Sequence, residues 1–106
     1  MAWFILVIAG LFETVWAVSL KYSEGFSKLW PSVLTVVAMG ISIWLLAISL
    51  KSLPLGNAYS VWTGIGAIGT VIYGIVVFGD AKDLLRILFI IMIIGGIVGL
   101  KITSEQ

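Results

Sequence analysis

Four apolar runs, each about twenty residues long and separated by short polar links, divide the chain. The first spans about 2–20, the second 29–50, the third 56–78 and the fourth 84–102. A stretch of this length and character matches the hydrocarbon thickness of a bilayer when coiled as a helix. The pattern therefore predicts an all-α integral membrane protein with four transmembrane helices. The link Lys21-Tyr22-Ser23-Glu24-Gly25-Phe26-Ser27-Lys28 is too short to form a domain, and Lys51-Ser52-Leu53-Pro54 ends the second run. Pro31 falls in the first turn of the second helix, where a missing N–H does no harm. Asn57 and Asp83 are candidate N-caps for the third and fourth helices, the last turn being Gly79-Asp80-Ala81-Lys82-Asp83. Residues 1–106 are expected to form a single four-helix transmembrane domain.

The first run departs from this pattern at one position. Glu13 sits in the middle of it, where a charged group costs roughly 2.5 to 3.5 kcal/mol on insertion scales, so such groups usually line a cavity and bind an ion or proton. The same carboxylate argues against a cleaved signal peptide, as does the lack of a basic residue ahead of the run, so the helix is expected to remain in the mature protein. At helical spacing Glu13 shares a face with Gly10, Trp16 and Ala17. In the third run Tyr59, Trp62, Thr63, Gly66, Thr70 and Tyr73 recur at three- and four-residue steps, forming a polar and aromatic stripe with a small-residue centre. Ser42 is the polar group near the middle of the second run. Trp3, Trp30 and Tyr22, near helix ends, read as interfacial anchors.

Composition narrows the class further. Of 106 residues, 61% are hydrophobic and 10% charged, and mean hydropathy is +1.23. The formal charge of +1 suggests neither nucleic acid nor a polybasic lipid surface as partner. With no Cys and no His, disulfides, thiol chemistry and the usual zinc and haem ligand sets are excluded, and no metal or cofactor is expected. An ATP-driven pump is excluded by the lack of a Walker-type glycine loop and of room for a nucleotide domain.

Orientation is weakly marked. The first and third links carry Lys21, Lys28, Lys82 and Arg86, whereas the opposite side carries Lys51, Lys101 and the terminal amine. So even a division of basic residues selects no single topology under the positive-inside rule, leaving open both one orientation and insertion in two, with an antiparallel homodimer in the second case. Gly95 and Gly99 in the fourth run have the spacing that lets helices approach closely, either within the monomer or between copies.

The chemistry of an intramembrane carboxylate suggests transport. Desolvation disfavours its charged form and a nearby cation favours it, so proton and cation compete for the same oxygens. A planar guanidinium suits the surroundings, taking a carboxylate through parallel N–H bonds and lying against indole or phenol rings.

Three segments, Gly10-Leu11-Phe12-Glu13-Thr14-Val15-Trp16-Ala17, Leu20-Lys21-Tyr22-Ser23-Glu24-Gly25-Phe26 and the run from Lys51 through Tyr59-Ser60-Val61-Trp62-Thr63-Gly64-Ile65-Gly66-Ala67, resemble the small multidrug resistance family, and within it the guanidinium exporter subgroup. The resemblance covers essentially the whole chain. It implies a multi-pass protein of the bacterial inner membrane that works as a dual-topology antiparallel homodimer and exchanges protons for guanidinium-type cations by alternating access. Carried over by position, it implies Glu13 as the shared proton and substrate carboxylate, lined by Trp16, Ser42, Tyr59 and Trp62, with Gly10, Ser60 and Thr63 as further candidates. It also implies a Ser42 hydrogen bond to Glu13, Trp62 beneath the carboxylate, Tyr59 taking part in switching access, and a dimer contact made by the fourth helix. Two positions depart from the family pattern: Ser60 stands where alanine is usual and Asp80 where glutamate is. The Ser60 hydroxyl, beside Tyr59, bears on hydrogen bonding near the site and on tolerance for bulkier substrates. The rival readings are the family's other branch, which exports quaternary ammonium and polyaromatic cations, a proton-conducting ring subunit, which typically has two spans, and a non-transporting accessory membrane protein.

Overall fold

In the computed structural model, which describes residues 1–80 and 82–104 (the latter without the Ser104 side chain), the chain is helical almost throughout. The elements are α1 (Ala2–Tyr22), α2 (Leu29–Ser49), α3 (Leu55–Phe78) and α4 (Leu84–Ser104). All four are long and apolar enough to cross a membrane. Ala81, part of the expected last turn, lies outside the described residues.

The helix ends follow local chemistry. Pro31 is the third residue of α2, inside its first turn. α3 begins three residues earlier than an Asn57 cap requires: Pro54 is its cap residue, and the Ala58 N–H already reaches the Pro54 carbonyl at 3.0 Å. Asn57 thus lies within the first turn. The ring of Pro54 explains the shift, since its fixed φ of −59° is compatible with leading the chain into a helix. Asp83 does cap α4, its Oδ1 accepting the Arg86 N–H at 3.0 Å. At the end of α3 Gly79 takes the left-handed conformation, with φ 71°, and the Asp80 N–H reaches back to the Gly74 carbonyl at 3.1 Å. The α1–α2 link is tied by the fully buried Ser23, whose hydroxyl donates to the Leu20 carbonyl at 2.6 Å and accepts the Phe26 N–H at 3.1 Å.

α1 is the centre of the assembly, packing extensively on both α2 and α3, while α2 and α3 meet only lightly. Leu6, Ala9, Leu46, Leu53, Ala58, Val61 and Trp62 form the buried core between these three helices. α1 and α3 approach through glycines. A methyl group on Gly10 would collide with Ile65, one on Gly66 with the Glu13 carboxylate, and one on Gly69 with Thr14. Backbones this close leave no space for a Cβ, which is why small residues occupy the crossing.

α4 is held differently. Its backbone lies against α3 alone, and among its described residues none is buried. Ile97 and Leu100 rest on the core, and the Lys101 ammonium lies 5.3 Å from the Trp3 ring centre. Gly64 of α3 faces Ile93 and Ile97, whereas Cβ atoms built on Gly95, Gly96 and Gly99 meet nothing within 4 Å. Packing within the monomer is therefore not what these three glycines serve.

Candidate functional site

Glu13 is carried at the α1–α3 crossing because α3 offers a glycine, Gly66, opposite it. Its side chain opens into a groove of about 330 Å³ lined by Glu13, Ala17, Thr63, Gly66, Ala67, Thr70 and Val71. Ala17 is one turn from Glu13 on α1, and Thr63, Gly66, Ala67 and Thr70 recur at three- and four-residue steps along α3. The groove thus joins the α1 face of Glu13 to part of the polar stripe anticipated on α3. One carboxylate oxygen, Oε1, is buried without a hydrogen-bond partner. An orphaned buried acceptor is expensive and calls for a proton, an ion or a donor-bearing ligand to complete it.

The wall opposite Glu13 is stiffened by hydroxyls. Thr70 Oγ1 donates to the Gly66 carbonyl at 2.7 Å, and Thr14 Oγ1 reaches the same oxygen at 3.3 Å from across the helix interface. Thr14 was not anticipated from the sequence. It neighbours Glu13 along the chain but points to a different side, and no spacing rule marks a residue whose partner is a backbone oxygen on another helix.

Ser42, Trp62 and Tyr59 form a second group. Ser42 is fully buried, accepts the Trp62 Nε1–H at 2.8 Å and donates to the Ala9 carbonyl at 2.7 Å. The expected bond from Ser42 to Glu13 is therefore not made; the hydroxyl has one hydrogen, and the Ala9 carbonyl takes it. The link to Glu13 is indirect: in an α-helix the Ala9 carbonyl is also the acceptor for the Glu13 N–H, one turn on. Trp62 belongs to the buried core rather than to the walls of the groove, because its indole needs the Ser42 oxygen as acceptor. Tyr59, 54% exposed, places its ring 5.6 Å from that of Trp62 at 51°. These contacts bind α1, α2 and α3 into one hydrogen-bonded unit.

The remaining candidates are scattered around these two groups. Trp16 lies one turn beyond Glu13 with its Nε1 buried and unpartnered, a donor left open in the same way as the Glu13 acceptor. Gly10 is buried against Ile65, Thr63 lines the groove, and Ser60 is exposed on α3. Among the described residues no cluster of His, Cys, Asp or Glu suited to a metal ion occurs.

Fold and groove together define a multi-pass membrane protein with a carboxylate held at the crossing of two of its four spans. The sequence model of the small multidrug resistance proteins matches residues 1–93, and the chain belongs to that family. Similar proteins include the guanidinium exporter of Yersinia pseudotuberculosis, 61% identical over 104 residues, which are 98% of this chain and 100% of that protein. The guanidinium exporters of Escherichia coli and Salmonella typhimurium are 57% and 52% identical, each over 105 residues, 99% of this chain and 100% of theirs.

Proposed function

We propose that the chain is a proton-coupled antiporter that exports guanidinium or small guanidinyl cations across the bacterial inner membrane. The observation that carries this reading is the Glu13 Oε1, buried and without a partner beside a groove large enough for a planar cation. Guanidinium completes such a carboxylate with two parallel N–H bonds, one to each oxygen, and a proton completes it with one covalent bond. The two occupants exclude each other. Alternating exposure of the loaded carboxylate to the two sides then couples a proton gradient to cation export. The high identity to proteins named guanidinium exporters supports this substrate over hydrophobic quaternary cations, which bring no N–H donors.

In this reading the working unit is an antiparallel homodimer inserted in both orientations. Support comes from the even division of basic residues between the two sides and from α4, whose glycines face no part of their own chain. Glu13 is the coupling residue. Trp16 offers its unpartnered indole N–H one turn from Glu13, and Ser42, Trp62 and Tyr59 act from behind the groove, through the hydrogen bonds and ring contact that hold the Ala9 carbonyl and the Trp62 indole.

The test is electrogenic transport by purified protein in liposomes, with guanidinium and a quaternary ammonium compound compared across a pH series. Guanidinium currents that disappear in Glu13→Gln support the proposal. Currents for the quaternary compound alone move the chain to the multidrug branch, and silence for both returns Glu13 to a structural role.

A further inference from the structure

The α1–α3 groove does not stop at Glu13. It shares Ala17 and Thr70 with a second recess of about 100 Å³, whose other walls include Lys21, Tyr73, Phe78 and Asp80. At the far end the Tyr22 and Tyr73 hydroxyls bond to each other at 3.0 Å across the two helices, with the Phe78 ring centred 5.5 Å from the Tyr22 ring and 5.8 Å from that of Tyr73. Bare guanidinium, four heavy atoms in a plane, needs only the region around the carboxylate. Gly66 stands against that carboxylate, and Tyr73 is two turns further along α3, about 10 Å at the helical rise.

We infer that this stretch is a tail subsite, which takes the substituent of a monosubstituted guanidinyl cation ending in an uncharged hydrogen-bonding group such as a hydroxyl or carboxamide. The inference rests on the reading that Glu13 holds the guanidinium head. Between head and end the walls are Ala17, Ala67, Val71 and Thr70, whose hydroxyl hydrogen is already given to the Gly66 carbonyl, so a methylene chain fits there mainly by apolar burial. The end is a pair of hydroxyls. One hydrogen is used between them, leaving one free hydrogen and spare lone pairs, so the pair both donates and accepts. Formal charge on the tail is not favoured in either sign. The Asp80 carboxylate and the Lys21 side chain line the same recess, and the Lys21 ammonium lies 5.0 Å from the centre of the Phe78 ring. Tyr73, with Tyr22 behind it, is thus a specificity-determining residue for the tail.

The experiment uses the full chain in liposomes and reads KM from currents for butylguanidine and for hydroxybutylguanidine, which differ only by the terminal hydroxyl. The expected KM is about five- to tenfold lower for the hydroxyl-ended compound, the size of one hydrogen bond. In Tyr73→Phe, which removes the hydroxyl and keeps the ring against Phe78, the ratio of the two KM values falls to near one; Tyr22→Phe lowers it independently. A merely structural role for the pair moves both KM values together and leaves the ratio intact. A ratio near one in the unsubstituted protein, a ratio that survives both substitutions, or a lower KM for the ammonium- or carboxylate-ended analogue overturns the tail subsite. Guanidinium itself separates the tail subsite from the Glu13 head site on which it rests. Glu13-dependent guanidinium currents without tail discrimination remove only the subsite, whereas guanidinium currents that are absent, or that persist in Glu13→Gln, remove the reading beneath it.

Discussion

The α1–α3 crossing and α4 are both built around glycines in apolar helices, yet they use them in opposite ways. At the crossing every glycine is spent inside the chain: Gly10 receives Ile65, Gly66 receives the Glu13 carboxylate and Gly69 receives Thr14. On α4 the Gly95, Gly96 and Gly99 positions open onto nothing in their own chain. The first set makes room for Ile65 and for two polar side chains at membrane depth, and the second leaves a smooth apolar face uncovered by its own described residues. Small residues in a membrane helix therefore do not reveal their purpose by spacing alone; what stands opposite them decides it.

The contrast is sharpest at the carboxylate. Glu13→Gln is expected to reduce guanidinium-evoked current more than a hundredfold, because among the described residues no second acidic side chain lines the groove of about 330 Å³ to take the cation or the proton. In the unsubstituted protein the apparent KM for guanidinium should rise as pH falls, since protons compete for the same oxygens, and a KM independent of pH would break the exchange reading.

Paired glycine substitutions come next in size. Gly66→Ala puts a methyl group into the Glu13 carboxylate, and transport should fall at least tenfold as that side chain is displaced. Gly95→Ala adds the same methyl group where nothing meets it, and unfolding stability should stay within about 0.5 kcal/mol. A loss of transport in Gly95→Ala as large as that in Gly66→Ala would erase the difference between the two sets of glycines. Gly95→Leu combined with Gly99→Leu should weaken self-association in bilayers by roughly tenfold, read by cross-linking or single-molecule capture, if α4 packs closely against another copy. The smallest effect is expected at Ser42. Ser42→Ala leaves the buried Trp62 indole without its acceptor, costing about 1 to 3 kcal/mol of stability, measurable as a lowered unfolding midpoint with guanidinium affinity changed much less than by Glu13→Gln.

The sequence carries the four helices because length and hydropathy are enough to define a span, and it carries Glu13 because a carboxylate in such a run has few bland explanations. Thr63, Gly66 and Thr70 were legible as a stripe, since one helix face is set by spacing of three and four. Pairing between helices is another matter. Ser42 has several acceptors within reach of its helix, and only the packing of α2 on α1 gives it the Ala9 carbonyl. Tyr22 looks like an interfacial anchor in isolation and becomes half of a hydroxyl pair only when α3 brings Tyr73 beside it. Asn57 has the chemistry of a cap, but Pro54 starts the helix first.

With its hydrogen committed to the Gly66 carbonyl, the Thr70 hydroxyl is left to present oxygen lone pairs rather than a donor to the space it lines. A neutral residue is thereby made electronegative on one side. That side of the wall offers lone pairs without adding a second acid to the membrane interior, and its polarity is a property of hydroxyl orientation that no inventory of charged side chains would register.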